Sequence, residues 1–257
     1  MLQGLYEGAR QDANSREHEV PLHELEKQAR SARPVRSALD ALGPRDRIHV
    51  ISEIKRKSPS KGELADIDDP VVLAQEYEAG GASMISVLTE SRRFGGSLAD
   101  LHAVSAAVDI PVLRKDFLES EYQIVEARAA GADVVLLIMA GITDERAERL
   151  LEVAREWEMQ ALVEAHTAEE VDRAIAVGAD IVGVNARDLA TFELNKDLFG
   201  QMVPRFPDGV IRVAESAVAE ASDVARYRSQ GAHAVLIGEA LVTGANPRER
   251  VKEFVAA

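Results

Sequence analysis

Six polar side chains in this 257-residue chain stand where strands of a parallel sheet would end: Glu53, Lys55, Lys115, Glu164, Asn185 and Glu215. Each closes, or falls just past, a short apolar run rich in β-branched residues. Taking an ionised group out of water costs several kcal/mol unless it is paired. A chain that repeats that cost at one level of a strand pattern is building a site, and parallel α/β folds bind ligands at the carboxyl ends of their strands.

Strand side chains alternate between faces, so with Ile51 inward, Glu53 and Lys55 face the mouth. Such a pair can hold each other's charge and tune the lysine as a proton donor, although a structural ion pair is the plainer reading. Lys115 faces the same mouth if Leu113 points inward. Desolvation is expected to lower its pKa and make it a general acid, while its neighbours Arg114 and Asp116 can be read as surface charges. Glu164 follows Ala161-Leu162-Val163, and a carboxylate there needs a reason. His166, in the loop before the helix cap at Thr167, reads as structural rather than as a base. Asn185 ends the sixth strand, with Arg187 able to reach the same mouth, and Glu215-Ser216 ends the seventh.

The last two strands suggest a phosphate site. Ser216, Ala217 and Val218 follow the seventh strand, and Gly238 with Glu239 opens a short helix after the eighth. Barrel enzymes often hold phosphate there on backbone N–H groups. Ser58 and Ser60, after the first strand, can cap the same group. No metal site is expected, because no HxH or HExxH spacing occurs. The chain has no cysteine, so it has no disulfide and no thiolate nucleophile. A cofactor-free acid–base enzyme fits best.

The elements that must carry these groups are legible too. Gly80-Gly81-Ala82, Gly131-Ala132-Asp133, Gly178-Ala179-Asp180 and Gly231-Ala232-His233 recur at roughly 50 residues, the period of two βα units. Each closes a helix and opens a strand. The pattern predicts strands at His49–Glu53, Met84–Thr89, Pro111–Arg114, Val134–Ile138, Gln160–Val163, Ile181–Val184, Val210–Ala214 and Ala234–Ile237. Runs such as Val134-Val135-Leu136-Leu137-Ile138 imply burial on both faces. Asp69-Pro70, Thr143-Asp144-Glu145-Arg146 and a capping box at Thr167-Ala168-Glu169-Glu170 start helices between them. Alternation of this kind predicts a closed (β/α)8 TIM barrel, with an open doubly wound sheet as the alternative. That alternative usually shows a glycine-rich turn after its first strand, which Lys55–Ser60 is not. Residues 1–45 read as an N-terminal helical extension across one end of the barrel, broken at Asn14–Glu19 and Ser31–Pro34, within a single domain spanning residues 1–257.

Composition agrees with one large core, at 46% hydrophobic residues. A formal charge of -14 disfavours nucleic acid and anionic membrane. No run approaches the ~20 apolar residues of a membrane helix, and Met1–Arg10 lacks the apolar core of a secretory signal. A cytoplasmic protein acting on a small phosphorylated molecule, with a monomer as the simplest state, is the expectation.

The sequence closely resembles the indole-3-glycerol-phosphate synthases. The resemblance is carried by Ile51-Ser52-Glu53-Ile54-Lys55-Arg56-Lys57-Ser58-Pro59-Ser60, Leu88-Thr89-Glu90 with Phe94-Gly95-Gly96-Ser97-Leu98, and Leu113-Arg114-Lys115-Asp116-Phe117. It continues through Leu162-Val163-Glu164, Gly183-Val184-Asn185-Ala186-Arg187-Asp188-Leu189 and Ala214-Glu215-Ser216. It implies conversion of 1-(2-carboxyphenylamino)-1-deoxyribulose 5-phosphate to indole-3-glycerol phosphate, with loss of carbon dioxide and water. On that resemblance Lys115 protonates the carbonyl for ring closure and Glu164 takes part in dehydration as base. Lys55 meets the substrate carboxylate and can serve as a second donor, and Glu53 orients the lysines. Asn185, Glu215 and Arg187 hold polar groups of the substrate, and Phe94, Phe117 and Leu136 wall its aromatic ring.

One departure stands out. The family usually has glycine where this chain has Ala217, and alanine at a positive φ costs roughly 1 kcal/mol. The phosphate loop is therefore expected to be intact but strained, with the Glu239 side chain turned away from the anion. Sibling barrels such as phosphoribosylanthranilate isomerase lack the Lys55 and Lys115 pair in this arrangement. A catalytically silent sugar-phosphate-binding barrel is the alternative from another class, and only Ala217 leans towards it.

Overall fold

The computed structural model describes residues 2–188, 191–244 and 246–257. Met1 and Leu189, the last residue of one matching stretch, lie outside them. Eight parallel strands close into a barrel in chain order: β1 (His49–Ile54), β2 (Met84–Leu88), β3 (Val112–Lys115), β4 (Val134–Ile138), β5 (Gln160–Ala165), β6 (Ile181–Asn185), β7 (Ile211–Glu215) and β8 (Ala234–Ile237). Pairing of β8 with β1 removes the open-sheet alternative. The strands run one or two residues further than the pattern predicts at Ile54, Lys115, Ala165, Asn185 and Glu215. In those strands the polar residue at the carboxyl end is still paired.

The register decides which side chains meet. Glu53 is level with Ser86, Leu88 with Lys115, Ile138 with Glu164, and Asn185 with Glu215. Partners in a parallel ladder point the same way. Ile51, Leu113, Leu136, Leu162, Val213 and Leu236 fill the barrel below the polar level and are buried.

The glycine beat marks the helices that lead into the even-numbered strands, as a two-unit period requires. Gly131 takes φ +90° after helix Glu121–Ala129, and Ala132 N–H then bonds back to Ala127 O at 2.9 Å. Gly81, Gly178 and Gly231 repeat that arrangement. Asp69, Thr143 and Thr167 cap the following helices as expected. The box at Thr167 is only half made, because the Glu170 carboxylate accepts from His166 N–H instead of returning to the cap residue.

The extension differs from expectation in two ways. Helix α1 (Leu2–Glu19) runs straight through Asn14–Glu19, where Ser15 and His18 bond to carbonyls four residues back, and the break falls at Val20–Pro21. The proline, which prevents continuation, ends it. The second break, after α2 (Leu22–Ser31), is where it was predicted.

The extension also reaches both ends of the barrel. Tyr6 of α1 lies edge-on to Phe117 at 5.6 Å at the mouth, in space that a Cβ on Gly141 would fill. The α2 residues Leu25 and Ala29 pack on Tyr122 and Val125 along the outside. Arg33 and Arg36 then clamp Asp133, just before β4, at 2.7 and 3.1 Å. Finally α3 (Ala38–Leu42) closes the base, with Ala38 N–H on Gln160 Oε1. Among the described residues no helix is long and apolar enough to cross a membrane.

Candidate active site

The mouth of the barrel holds a cavity of about 780 Å³, and every residue named above as a catalytic, substrate or phosphate candidate lines it, whereas Arg114 and His166 do not. Phe94, Phe117, Leu136 and Ile138 form one wall, with Phe94 and Phe117 6.1 Å apart. Ser58, Ser216, Ala217, Gly238 and Glu239 lie across the barrel on the β1, β7 and β8 side. The polar row stands between them.

Its centre is Lys115. The ammonium lies 3.4 Å from Glu164 Oε2, 3.8 Å from Glu215 Oε2 and 4.0 Å from Glu53 Oε2. Burial works against its charge, but the three carboxylates outweigh burial and hold its pKa above the ordinary lysine range. The expectation that desolvation lowers this pKa is thus reversed, because a buried lysine drops only where no counter-charge meets it. Lys55 pairs with Glu53 Oε1 at 2.7 Å. Burial opposes ionisation of Glu53, yet Lys55 and Lys115 together pull its pKa down.

Glu164 is held ionised from three sides. Burial pushes its pKa up, but Lys115, His166 and the Asn185 amide, which donates to Oε1 at 3.1 Å, pull it far below the usual carboxylate range. His166 sits between Glu164 at 3.1 Å and Glu170 at 3.3 Å. Burial disfavours its charge, but the two carboxylates push its pKa up to about 10. An imidazole protonated at neutral pH is no base. It is a counter-charge that keeps Glu164 an acceptor, 3.4 Å from the Lys115 donor.

Asn185 joins this row to the anion end. Its Oδ1 accepts from Ser216 Oγ at 2.8 Å and from Arg187 N–H at 3.0 Å, and the Arg187 guanidinium bonds to Phe192 O. Ser216 and Ala217 both adopt left-handed backbone, at φ +66° and +59°. The strain expected at Ala217 is present and extends to Ser216. A Cβ on Gly238 would come within 2.5 Å of Glu53 Oε1 and 3.0 Å of Lys55 Nζ, so glycine there leaves room for the Glu53–Lys55 pair. Glu239 is engaged by Lys61, which reaches over from a short hairpin pairing Lys57–Ser58 with Gly62–Glu63.

Arg114 and Asp116 are not surface charges. Asp116 is buried at the edge of the cavity, and strand alternation turns Arg114 into the layer between β3 and helix Glu121–Ala129, where it is fully buried. It bonds Asp116 at 3.2 Å and Glu126 at 3.0 Å, and Glu126 in turn holds Arg16 of α1. Two polar residues flanking an inward lysine were the available signal. Leu5, Lys61, Phe192, Lys196 and Arg250 also line the cavity and were not singled out. They arrive from α1, from loops and from the last helix, where no strand pattern announces them. Among the described residues no group of His, Asp and Glu is arranged to hold a metal ion.

The family model for indole-3-glycerol phosphate synthase matches residues 2–254. An indole-3-glycerol phosphate synthase of Leifsonia xyli subsp. xyli is 57% identical over 254 residues, 99% of this chain and 97% of that protein. One from Arthrobacter sp. is 52% identical, covering 100% and 96%. Among solved structures, a 3-hexulose-6-phosphate synthase superposes with a TM-score of 0.64 at 19% identity, over 82% of this chain and 98% of that one. That likeness is one of fold.

Proposed function

The chain belongs to the indole-3-glycerol phosphate synthase family, lyases of tryptophan biosynthesis, and on that premise we propose how its own residues divide the chemistry. The ring closure, decarboxylation and dehydration of 1-(2-carboxyphenylamino)-1-deoxyribulose 5-phosphate need an acid at a carbonyl oxygen, then an acid and a base on one intermediate. Lys115 is the acid of ring closure. Its ammonium is protonated and opens onto the cavity beside Phe117 and Leu136, which receive the aromatic ring with Phe94. Glu164, ionised beside it, takes the proton lost in dehydration. Lys55, set by Glu53, meets the substrate carboxylate together with Arg187. Asn185 and Ser216 fix Glu164 and the sugar hydroxyls. The phosphate rests on the backbone N–H groups around Ser216, Ala217, Gly238 and Glu239, with Ser58 at its edge.

The observation that carries this reading is the Lys115 ammonium, held 3.4 Å from Glu164 at the foot of an aromatic-walled cavity. Positioned acids contribute ~100 to 10,000-fold. Lys115→Ala should therefore lower turnover of the deoxyribulose phosphate by at least ~100-fold while binding persists, with indole product followed by fluorescence. Near-normal turnover would take Lys115 out of the acid role. A cytoplasmic, monomeric enzyme goes with this reading, and sedimentation of the purified chain tests the second point.

A further inference from the structure

We propose that Glu164 and Glu215 share a single proton as a carboxyl dyad, that this proton resides on Glu215, and that it departs with the hydroxyl group in the dehydration step. The inference rests on the catalytic reading above and adds an acid to it.

Among the described residues the cations and amides gather on Glu164: Asn185 Nδ2 at 3.1 Å and His166 Nε2 at 3.1 Å on one oxygen, and Lys115 at 3.4 Å on the other. Glu215 receives only the far side of the Lys115 ammonium, at 3.8 Å. Glu164 Oε2 lacks a hydrogen bond but has the Lys115 charge 3.4 Å away; Glu215 Oε1 is buried with neither a hydrogen-bond partner nor a cation among the described residues. That oxygen occupies the place where a Cβ on Gly183 would sit, 2.0 Å away, with Leu162 beside it. Glycine on β6 has opened an apolar slot, and the slot is filled by a carboxyl oxygen. Native structures rarely leave a buried polar atom unpaired, and never cheaply if it is charged.

Charge leads to the same place. Glu53 is matched by Lys55 at 2.7 Å, and His166 is answered by Glu170 as well as Glu164. One ammonium, Lys115, then remains for both Glu164 and Glu215, whose Oε2 atoms lie 3.4 and 3.8 Å from it. Two buried carboxyl groups that share one cation resist ionising together, so one keeps a proton. Burial and the Glu164 charge both push the Glu215 pKa up, with Lys115 opposing and Glu53 adding to the rise. The pair titrates as a unit.

The step balances. The ring carbon beside nitrogen loses its proton to the Glu164 carboxylate, and that C–H electron pair forms the new C=C bond. The adjacent C–O bond breaks, and the hydroxyl takes the Glu215 proton and leaves as water. Return of the proton from Glu164 to Glu215 restores the starting state, with no net change in the dyad.

Infrared spectroscopy of the substrate-free enzyme tests the first half without any turnover. A protonated-carboxyl carbonyl band should be present near neutral pH and vanish in Glu215→Gln. Its absence from the wild type, which needs no variant, or its survival in Glu215→Gln, overturns the dyad. The second half is read by comparing carbon dioxide release with indole formation. In Glu215→Gln, indole formation should fall by at least ~100-fold relative to carbon dioxide release, as the decarboxylated intermediate accumulates. Equal loss of both refutes the role in dehydration. Failure of the wild type to release carbon dioxide would instead refute the catalytic reading and leave the infrared result standing.

Discussion

Replacing His166 with glutamine removes a buried charge and retains a donor of similar reach. The imidazolium lies 3.1 Å from Glu164 and 3.3 Å from Glu170, and these carry its pKa from the ordinary 6.5 to about 10. A group whose folded-state pKa is raised contributes stability that is fully present below its unfolded pKa and is lost as pH rises through the folded one. At about 1.4 kcal/mol per unit, the charged form contributes up to about 4 kcal/mol at pH 7 and about half a kcal/mol at pH 10. The assay is urea unfolding of wild type and His166→Gln at several pH values. The wild type should be the more stable at pH 7, and the gap between the two should close towards pH 10. Lysines and tyrosines titrate in both proteins, so the gap isolates this one group. A gap that stays constant with pH, or is absent at pH 7, would refute the assignment of His166 as a cation clasping Glu164.

Three other substitutions probe the anion end. Ala217→Gly relieves a left-handed alanine and should raise stability by up to about 1 kcal/mol, or ~2–4 °C in Tm, together with a lower KM; an unchanged Tm and KM would show that the loop is not strained. Gly238→Ala would drive a methyl group into the Glu53–Lys55 pair, and overpacking of about 1–3 kcal/mol should lower kcat/KM by ~5- to 150-fold. A full-rate enzyme would mean that the pair can move aside. Glu239→Gln releases Lys61 and should strengthen competitive inhibition by inorganic phosphate a few-fold with little change in stability, since exposed pairs contribute at most about 1 kcal/mol. An unchanged inhibition constant would remove Glu239 as a competitor of the phosphate.

Much of this was legible in the chain because two periodicities carry it. The apolar runs, ending in Glu53, Lys115, Glu164, Asn185 and Glu215, state both the strand and the face, since strand side chains alternate strictly. The glycine beat states where helices stop, and local capping chemistry at Asp69, Thr143 and Thr167 states where they start. All of these are short-range properties of residue type and spacing. The same rules mislead where the deciding partner lies on another element, as with Arg114, which pairs with Glu126, and Asp116, which accepts from Thr89.

The sequence by itself therefore pointed to a barrel, which the pairing of β8 with β1 closed, and named the side chains that line its mouth. Tertiary structure alone decided their charge states. Whether Lys115 drops or rises in pKa depends on three carboxylates from β1, β5 and β7 arriving within 4.0 Å. Whether Glu215 keeps a proton depends on a slot left by Gly183 on a different strand. Electrostatic energy varies with distance and with the water excluded by closure of the barrel, and neither quantity is written in the order of residues along the chain.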